Sequence, residues 1–191
     1  MIKDTALVGL FYKEDLPAIY RMAERVRTTH NIALIDEFDS MLEQKWNDKK
    51  SYSFVEPITV SKTDDLMTNV GVSVMIDQII GTTSVRWRYM GVGSSSTTPT
   101  VADPSLNVEI LPRVDMSLFG WREPAATSLR MAAIFGESRN TETINEFGIF
   151  NAATAGNIFN HNVIAANPIA HTFNVTGYVI SSVVEFLPVM P

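Results

Sequence analysis

The sequence predicts a mainly β protein with an α-helical N-terminal segment, an α+β chain whose C-terminal part is an antiparallel β-sandwich or jelly-roll-like domain. Three observations carry this. From Leu106 to Leu118 every second residue is apolar (Leu106, Val108, Ile110, Pro112, Val114, Met116, Leu118), the period of a strand with one buried face. Similar strand-like runs fill the chain from about residue 83 onward. Ahead of them, apolar residues between 16 and 42 recur at helical spacing. The expected division is residues 1–65, an N-terminal arm and helical docking segment, and residues 66–191, an antiparallel β domain.

In chain order, Ala6-Leu7-Val8-Gly9-Leu10-Phe11-Tyr12 is a short apolar run. It reads as the first strand of its own domain or as an arm that joins a sheet in a neighbour, which makes Leu10, Phe11 and Tyr12 candidate interface residues. Asp15 suits a helix N-cap and Pro17 its first turn, with Leu16, Ile19, Tyr20, Ala23 and Val26 on one face. After Thr28-Thr29-His30-Asn31 a second helix is expected, with Leu34, Ile35, Phe38, Met41 and Leu42 on one face and Asp36, Glu37, Asp39 and Glu43 around them. An amphipathic helix usually covers its own core. The sharper reading is a contact helix between subunits, with Phe38 and Trp46 as candidate interface residues. Asn47 to Ser51 is a polar break, Tyr52 to Val60 is extended around Pro57, and Asp64 or Asp65 caps a helix over Leu66–Ile80 that Gly81 ends.

Val85, Trp87 and Tyr89 then alternate with Arg86 and Arg88. The two arginines share a face and are candidates to grip a carboxylate across an interface, although such arginines are more often solvated or paired locally. Gly91 to Pro104 is a loop rich in Ser, Thr and Pro, and the strand over Leu106–Leu118 splits at Pro112, which cannot donate to a ladder. Thr127–Phe135, Ile144–Phe150 and Ile158–Ala165 read as further strands. The last run, Thr172 to Leu187, is apolar on both faces, so both need cover. Such a run would span roughly 50 Å if extended throughout. It therefore either breaks near Ser181-Ser182 or ends in another subunit, with Val183, Val184, Phe186 and Leu187 as candidate interface residues.

Composition narrows the function. The 191 residues are 46% hydrophobic and 19% charged, ordinary for a folded chain. A net charge of −6 repels phosphate backbones, so free nucleic acid is not an expected partner. Beyond Arg139 there is no Lys or Arg, and only Glu142, Glu146 and Glu185 carry charge. So charge-poor a segment is expected to meet other protein, within the chain or in a homo-oligomer. There is no cysteine, which excludes disulfides and thiolate chemistry and is consistent with folding in a reducing cytosol. No signal-peptide core and no run long enough to span a bilayer is read, so no membrane association is expected.

No catalytic constellation emerges. The histidines are His30, His161 and His171, and no Gly-x-Ser-x-Gly elbow surrounds a serine. His161 and His171 lie among the strands and could meet Glu146 as a metal site, but their spacings are not ligand signatures. Gly91-Val92-Gly93 before serines faintly suggests a phosphate loop, yet no Gly-Lys-Ser/Thr follows and Pro99 and Pro104 stand where a helix would start. Trp87, Tyr89 and Trp121 are candidate sugar-stacking residues, against the commoner reading of strand aromatics as core. No cofactor, metal or enzymatic activity is expected.

Gly91-Val92-Gly93, Thr97-Thr98-Pro99, Asp103, Leu106, Glu109 and Arg113, followed by Ile144-Asn145-Glu146-Phe147-Gly148-Ile149-Phe150-Asn151, Ile158-Phe159-Asn160-His161, Pro168-Ile169 and Val175-Thr176-Gly177-Tyr178, resemble a stretch of small β-rich virion structural proteins of tailed bacteriophages. The resemblance covers roughly residues 66–187 and leaves the helical N-terminal third outside it. It implies a structural component without enzymatic activity and supplies no active-site residue. The expected role is a virion subunit, a capsid decoration or cement protein or a neck or tail component, made in the host cytoplasm and bound to other virion proteins. The alternative is a receptor- or glycan-binding fibre or baseplate module.

Overall fold

The structure is a computed structural model that describes residues 2–29, 57–64, 66–116, 120–122, 128–164 and 168–186. Its elements are β1 (Ile2–Tyr12), α1 (Leu16–Thr29), β2 (Thr59–Asp64), β3 (Leu66–Met67), α2 (Asn69–Ile79), β4 (Tyr89–Gly93), β5 (Glu109–Asp115), β6 (Gly120–Arg122), β7 (Ser128–Phe135), β8 (Glu142–Ile144), β9 (Glu146–Phe150), β10 (Ile158–Val163), β11 (Ile169–His171) and β12 (Thr176–Phe186). The molecule is mostly β, with three antiparallel sheets and two helices among the described residues. The first sheet has the order β2-β1-β12-β7-β6, the second β3-β10-β9-β4-β5, and β11 pairs with β8 in a third.

The first sheet explains why both ends of the chain are apolar on two faces. β1 and β12 pair along eleven residues, from Ile2↔Phe186 to Tyr12↔Thr176. Because side chains alternate along a strand, Ala6, Val8 and Leu10 enter one core cluster while Leu7 and Phe11 enter another. β12 divides likewise, with Tyr178 and Ile180 on one side and Val179 on the other. β7 contributes Met131, Ala133 and Phe135 to the first cluster and Ala132 and Ile134 to the second. The first cluster also takes Met90, Val92, Phe147, Ile149 and Phe159 from the second sheet. The second cluster takes Leu16, Ile19, Ala23 and Val26, the apolar stripe of α1.

The topology decides between the readings that the sequence left open for the two terminal strands. β1 is a strand inside its own chain's sheet, between β2 and β12. Residues 2–12 and 59–64, assigned from sequence to the N-terminal segment, thus share a sheet with β7 and β12. The last strand is Thr176–Phe186, shorter than expected, because residues 172–175 form a turn closed by Thr176 N–H to the Thr172 carbonyl (3.1 Å). It does not break at Ser181-Ser182, which are buried opposite Leu7 and Ala6. Over residues 176–182 its two faces are covered by α1 and the second sheet of the same chain, not by a neighbour.

The second sheet carries the remaining surprises. Leu66-Met67 pairs with β10 instead of opening a helix, and the cap of α2 is Thr68, whose Oγ1 accepts from Gly71 N–H (2.9 Å). Gly91 and Gly93 lie within β4, so they are strand residues, not a loop. The stretch around β5 does not keep its predicted alternation in full, for Val108 and Pro112 are exposed and Arg113, on the opposite face, is buried. The pairing is interrupted by a register shift, since Met90 pairs with Val114 but Val92 with Ile110, and Arg113 is buried by its contacts with Phe150 and Glu109.

Candidate functional site

On the face of the second sheet away from the main core, side chains give way to glycine. Gly91, Gly93 and Gly148 lie on this face, and the chain from Ser94 to Val108 closes over it through Leu106, which packs with Phe150 and Ile158. At Gly93 a side chain would meet Glu146 Oε1 at 2.4 Å and the Val108 carbonyl at 2.5 Å, so only glycine fits there.

That space holds a buried acid–histidine–acid cluster. β9 supplies Glu146 and β10 supplies His161, which lie diagonally across the ladder because His161 pairs with Gly148 and Val163 with Glu146. His161 Nε2 is 2.7 Å from Glu146 Oε2, and its Nδ1 is 2.7 Å from Asp103 Oδ2. A carboxylate on each ring nitrogen favours the doubly protonated imidazolium, in which both nitrogens donate. Glu146 also accepts the N–H groups of Val108 (2.7 Å), Asn107 (3.0 Å) and Ser95 (3.3 Å). Asp103 accepts from Thr100 N–H (2.8 Å) and Oγ1 (2.6 Å).

Burial disfavours the charged imidazole, but the hydrogen bonds and charges of Glu146 and Asp103 outweigh it and raise the His161 pKa above 6.5. Burial pushes the Glu146 carboxyl upward, yet His161 and the two backbone donors win and its pKa falls below 4.5. Asp103 follows the same balance, with burial opposed by Thr100 and His161, and falls below 3.8. Both ring nitrogens are occupied and His161 and Glu146 are fully buried, so the cluster binds the loop carrying Asp103 to the second sheet.

Two further charged groups do similar work. Arg113 pairs with Glu109, donates to the Ala152 and Ala155 carbonyls and lies 3.4 Å over the Phe150 ring. It ties the 151–157 turn, where Ala155 and Gly156 have positive φ, to β5. Arg139 donates to Glu142 (2.8 Å) and to the carbonyls of Pro112 (2.8 Å) and Ile110 (3.2 Å) on β5. Glu142 in turn accepts from the buried Tyr178 hydroxyl (2.9 Å). A pocket of about 220 Å³ sits among Leu111, Pro112, Ser138, Arg139, Asn140 and Glu142, but the guanidinium at its wall is already committed.

The sequence-predicted residues fall as follows. Leu10 and Phe11 are buried in the chain's own core. Tyr12 is 48% exposed at the end of β1. Arg88 grips Asp115 of its own chain (2.6 Å from Nη2) rather than a carboxylate across an interface. Arg86 is exposed, with no ion pair among the described residues. Val183, Val184 and Phe186 lie on β12, opposite Thr5, Asp4 and Ile2, and their side chains are outside what is described. Phe38, Trp46 and Leu187 lie outside the described residues. Trp87 is half-buried and packs on Phe159 (5.0 Å between rings), and Tyr89 packs beside Leu106, Phe150 and Ile158.

His161 does meet Glu146, but as a hydrogen-bonded pair. His171 lies elsewhere, 3.1 Å from both Thr176 Oγ1 and the Arg139 carbonyl. Among the described residues no group of three or more His, Asp or Glu is arranged to hold a metal ion. Sequence reasoning missed Asp103 as a partner of His161, because a contact 58 residues apart depends on where the loop lands. Comparison with protein-family models, with curated proteins and with solved structures gives no match.

Proposed function

We propose that this chain is a structural subunit of a tailed-phage virion, assembling through protein–protein contacts as a capsid decoration or cement protein or as a neck or tail component. The observation that carries the reading is the use made of buried charge. Asp103, Glu146 and His161, Glu109 with Arg113, and Arg139 with Glu142 all fix loops and turns onto sheets. These are the residues of a scaffold that must hold its shape. They also include residues of the stretch that resembles phage virion proteins, namely Asp103, Glu109, Arg113, Glu146 and His161.

In this reading the two five-stranded sheets stack as a β-sandwich about the shared core cluster, in the manner of jelly-roll virion subunits. The chain has no enzymatic role, is made in the host cytoplasm, and ends in the particle bound to other virion proteins and to its own copies. Of the candidate sugar-stacking residues, Trp87 and Tyr89 pack within the chain, which disfavours the glycan-binding alternative for those two, and the side chain of Trp121 lies outside what is described. Quantitative mass spectrometry of purified particles of the encoding phage tests the proposal. The chain is expected at a fixed ratio to the major capsid protein, near parity for a shell protein and a single ring's worth for a neck or tail protein. Its loss from particles purified to constant composition refutes the role.

A further inference from the structure

We propose that the tip of α2 is a homotypic contact, at which two copies of this chain pack against each other about a twofold axis. The helix is apolar on nearly all sides: Val70, Val72, Val74, Met75, Ile76 and Ile79 leave only Asn69, Ser73, Asp77 and Gln78 as polar residues. A helix with that composition is normally buried. Here only Gly71 is buried, and Ile76, Ile79 and Ile80 are 50%, 77% and 64% exposed, with Val85 beside them at 37%.

The tip is built, not frayed. The Gln78 side-chain amide donates to the Val85 carbonyl, and Gly81 turns the chain at φ 77°. Thr82 returns its N–H to the Asp77 carbonyl (2.9 Å) and its hydroxyl to Asp77 Oδ1 (3.2 Å). The segment after the helix is thereby tied to its last turn, and the isoleucines are held outward.

Charge identifies the occupant. From Leu66 to Val85 the sole charged residue is Asp77, so two copies of a chain of net charge −6 meet across this tip with little repulsion. The exposed Arg86 follows directly. One acid and one base beside the same apolar tip make the patch self-complementary, since a twofold rotation brings Asp77 of each copy towards Arg86 of the other. The exposed apolar area is on the order of a few hundred Å² per copy, enough to mark an interaction site. It falls short of the roughly 800 Å² per side of a standard interface. The contact is therefore weak alone and suited to reinforcement within an assembly.

This names a partner for the assembly role proposed above and rests on that reading, while its test needs only the isolated chain. Sedimentation of the full chain from micromolar to hundreds of micromolar should show a monomer–dimer equilibrium. Ile79→Glu should weaken it by about tenfold or more with an unchanged unfolding midpoint. Asp77→Arg and Arg86→Asp should each weaken it, and the two together should restore it. Because the chain has no cysteine, Ile79→Cys is a unique thiol and should form a disulfide-linked dimer under mild oxidation, whereas Leu111→Cys, 60% exposed elsewhere, should not. A chain that stays monomeric, or a dimer indifferent to Ile79→Glu, overturns the contact. A monomer that is nonetheless stoichiometric in particles sinks this contact and leaves the virion role standing. A dimer whose chain is lost from particles does the reverse.

Discussion

Glu146 concentrates the logic of the molecule in one side chain. It is fully buried, carries a charge, and receives hydrogen bonds from His161 and from three backbone N–H groups of the loop above it. Removing one partner of such a pair strands the other, so Glu146→Ala should cost about 3–5 kcal/mol, measured by urea unfolding against the unaltered chain. The cluster also imposes a pH profile. His161 titrates higher when folded than its ordinary 6.5, so its contribution is full below 6.5 and is lost as pH rises through the raised value. Asp103 and Glu146 titrate below 3.8 and 4.5, so theirs is present above those values and is lost as pH falls through the lowered ones. The unfolding temperature should therefore be highest between 4.5 and 6.5 and decline on both sides, and Glu146→Gln should flatten that profile. An identical profile in the variant would remove the cluster from the account. A meeting of His161 with Glu146 was conceivable from their place among strands, but its form was not, because a diagonal contact depends on register.

At the scale of elements, α2 shows where pattern and propensity mislead. The sequence signals a helix there, but its start was read at Leu66 on the strength of Asp64 and Asp65 as caps, whereas Thr68 caps it. Thr68 wins because its hydroxyl also donates to the Ile158 carbonyl (2.7 Å) on β10, a tertiary contact invisible in local sequence. By propensity alone Gly71 weakens the helix, since glycine in a helix interior costs up to about 1 kcal/mol relative to alanine. Here a Cβ would meet the Phe159 carbonyl oxygen at 2.3 Å, so the helix sits against β10 only because the residue is glycine. Gly71→Ala should thus destabilise by about 1–3 kcal/mol, opposite in sign to the propensity change, and a thermal melt followed by circular dichroism decides it. β5 failed its alternation for a related reason. Arg113, polar in the pattern, is buried because Phe150 lies under its guanidinium and Glu109 pairs with it.

For the whole molecule, the sequence conveyed that the last strand needs cover on both faces but not what covers it. Cover from within the chain and cover from another subunit were both open, because α1 and the second sheet lie far away in sequence. The structure uses β1 to close the gap, inserting the N-terminus between β2 and β12 so that one sheet is packed on one side by α1 and on the other by the second sheet. The N-terminal strand is therefore part of the core, which can be tested by deletion. Burial of Leu7, Val8, Leu10 and Phe11 is worth about 1.5–3 kcal/mol each, which together rivals the roughly 5–15 kcal/mol stability of a whole domain. A chain lacking residues 1–12 should lose cooperative unfolding by circular dichroism and calorimetry, and a synthetic peptide of Ile2–Tyr12 added in trans should restore it by pairing along β12. An arm made only to reach a neighbour would leave the truncated chain folded with its melting transition intact. That outcome would mean that the register from Ile2↔Phe186 to Tyr12↔Thr176 is not what holds the first sheet together.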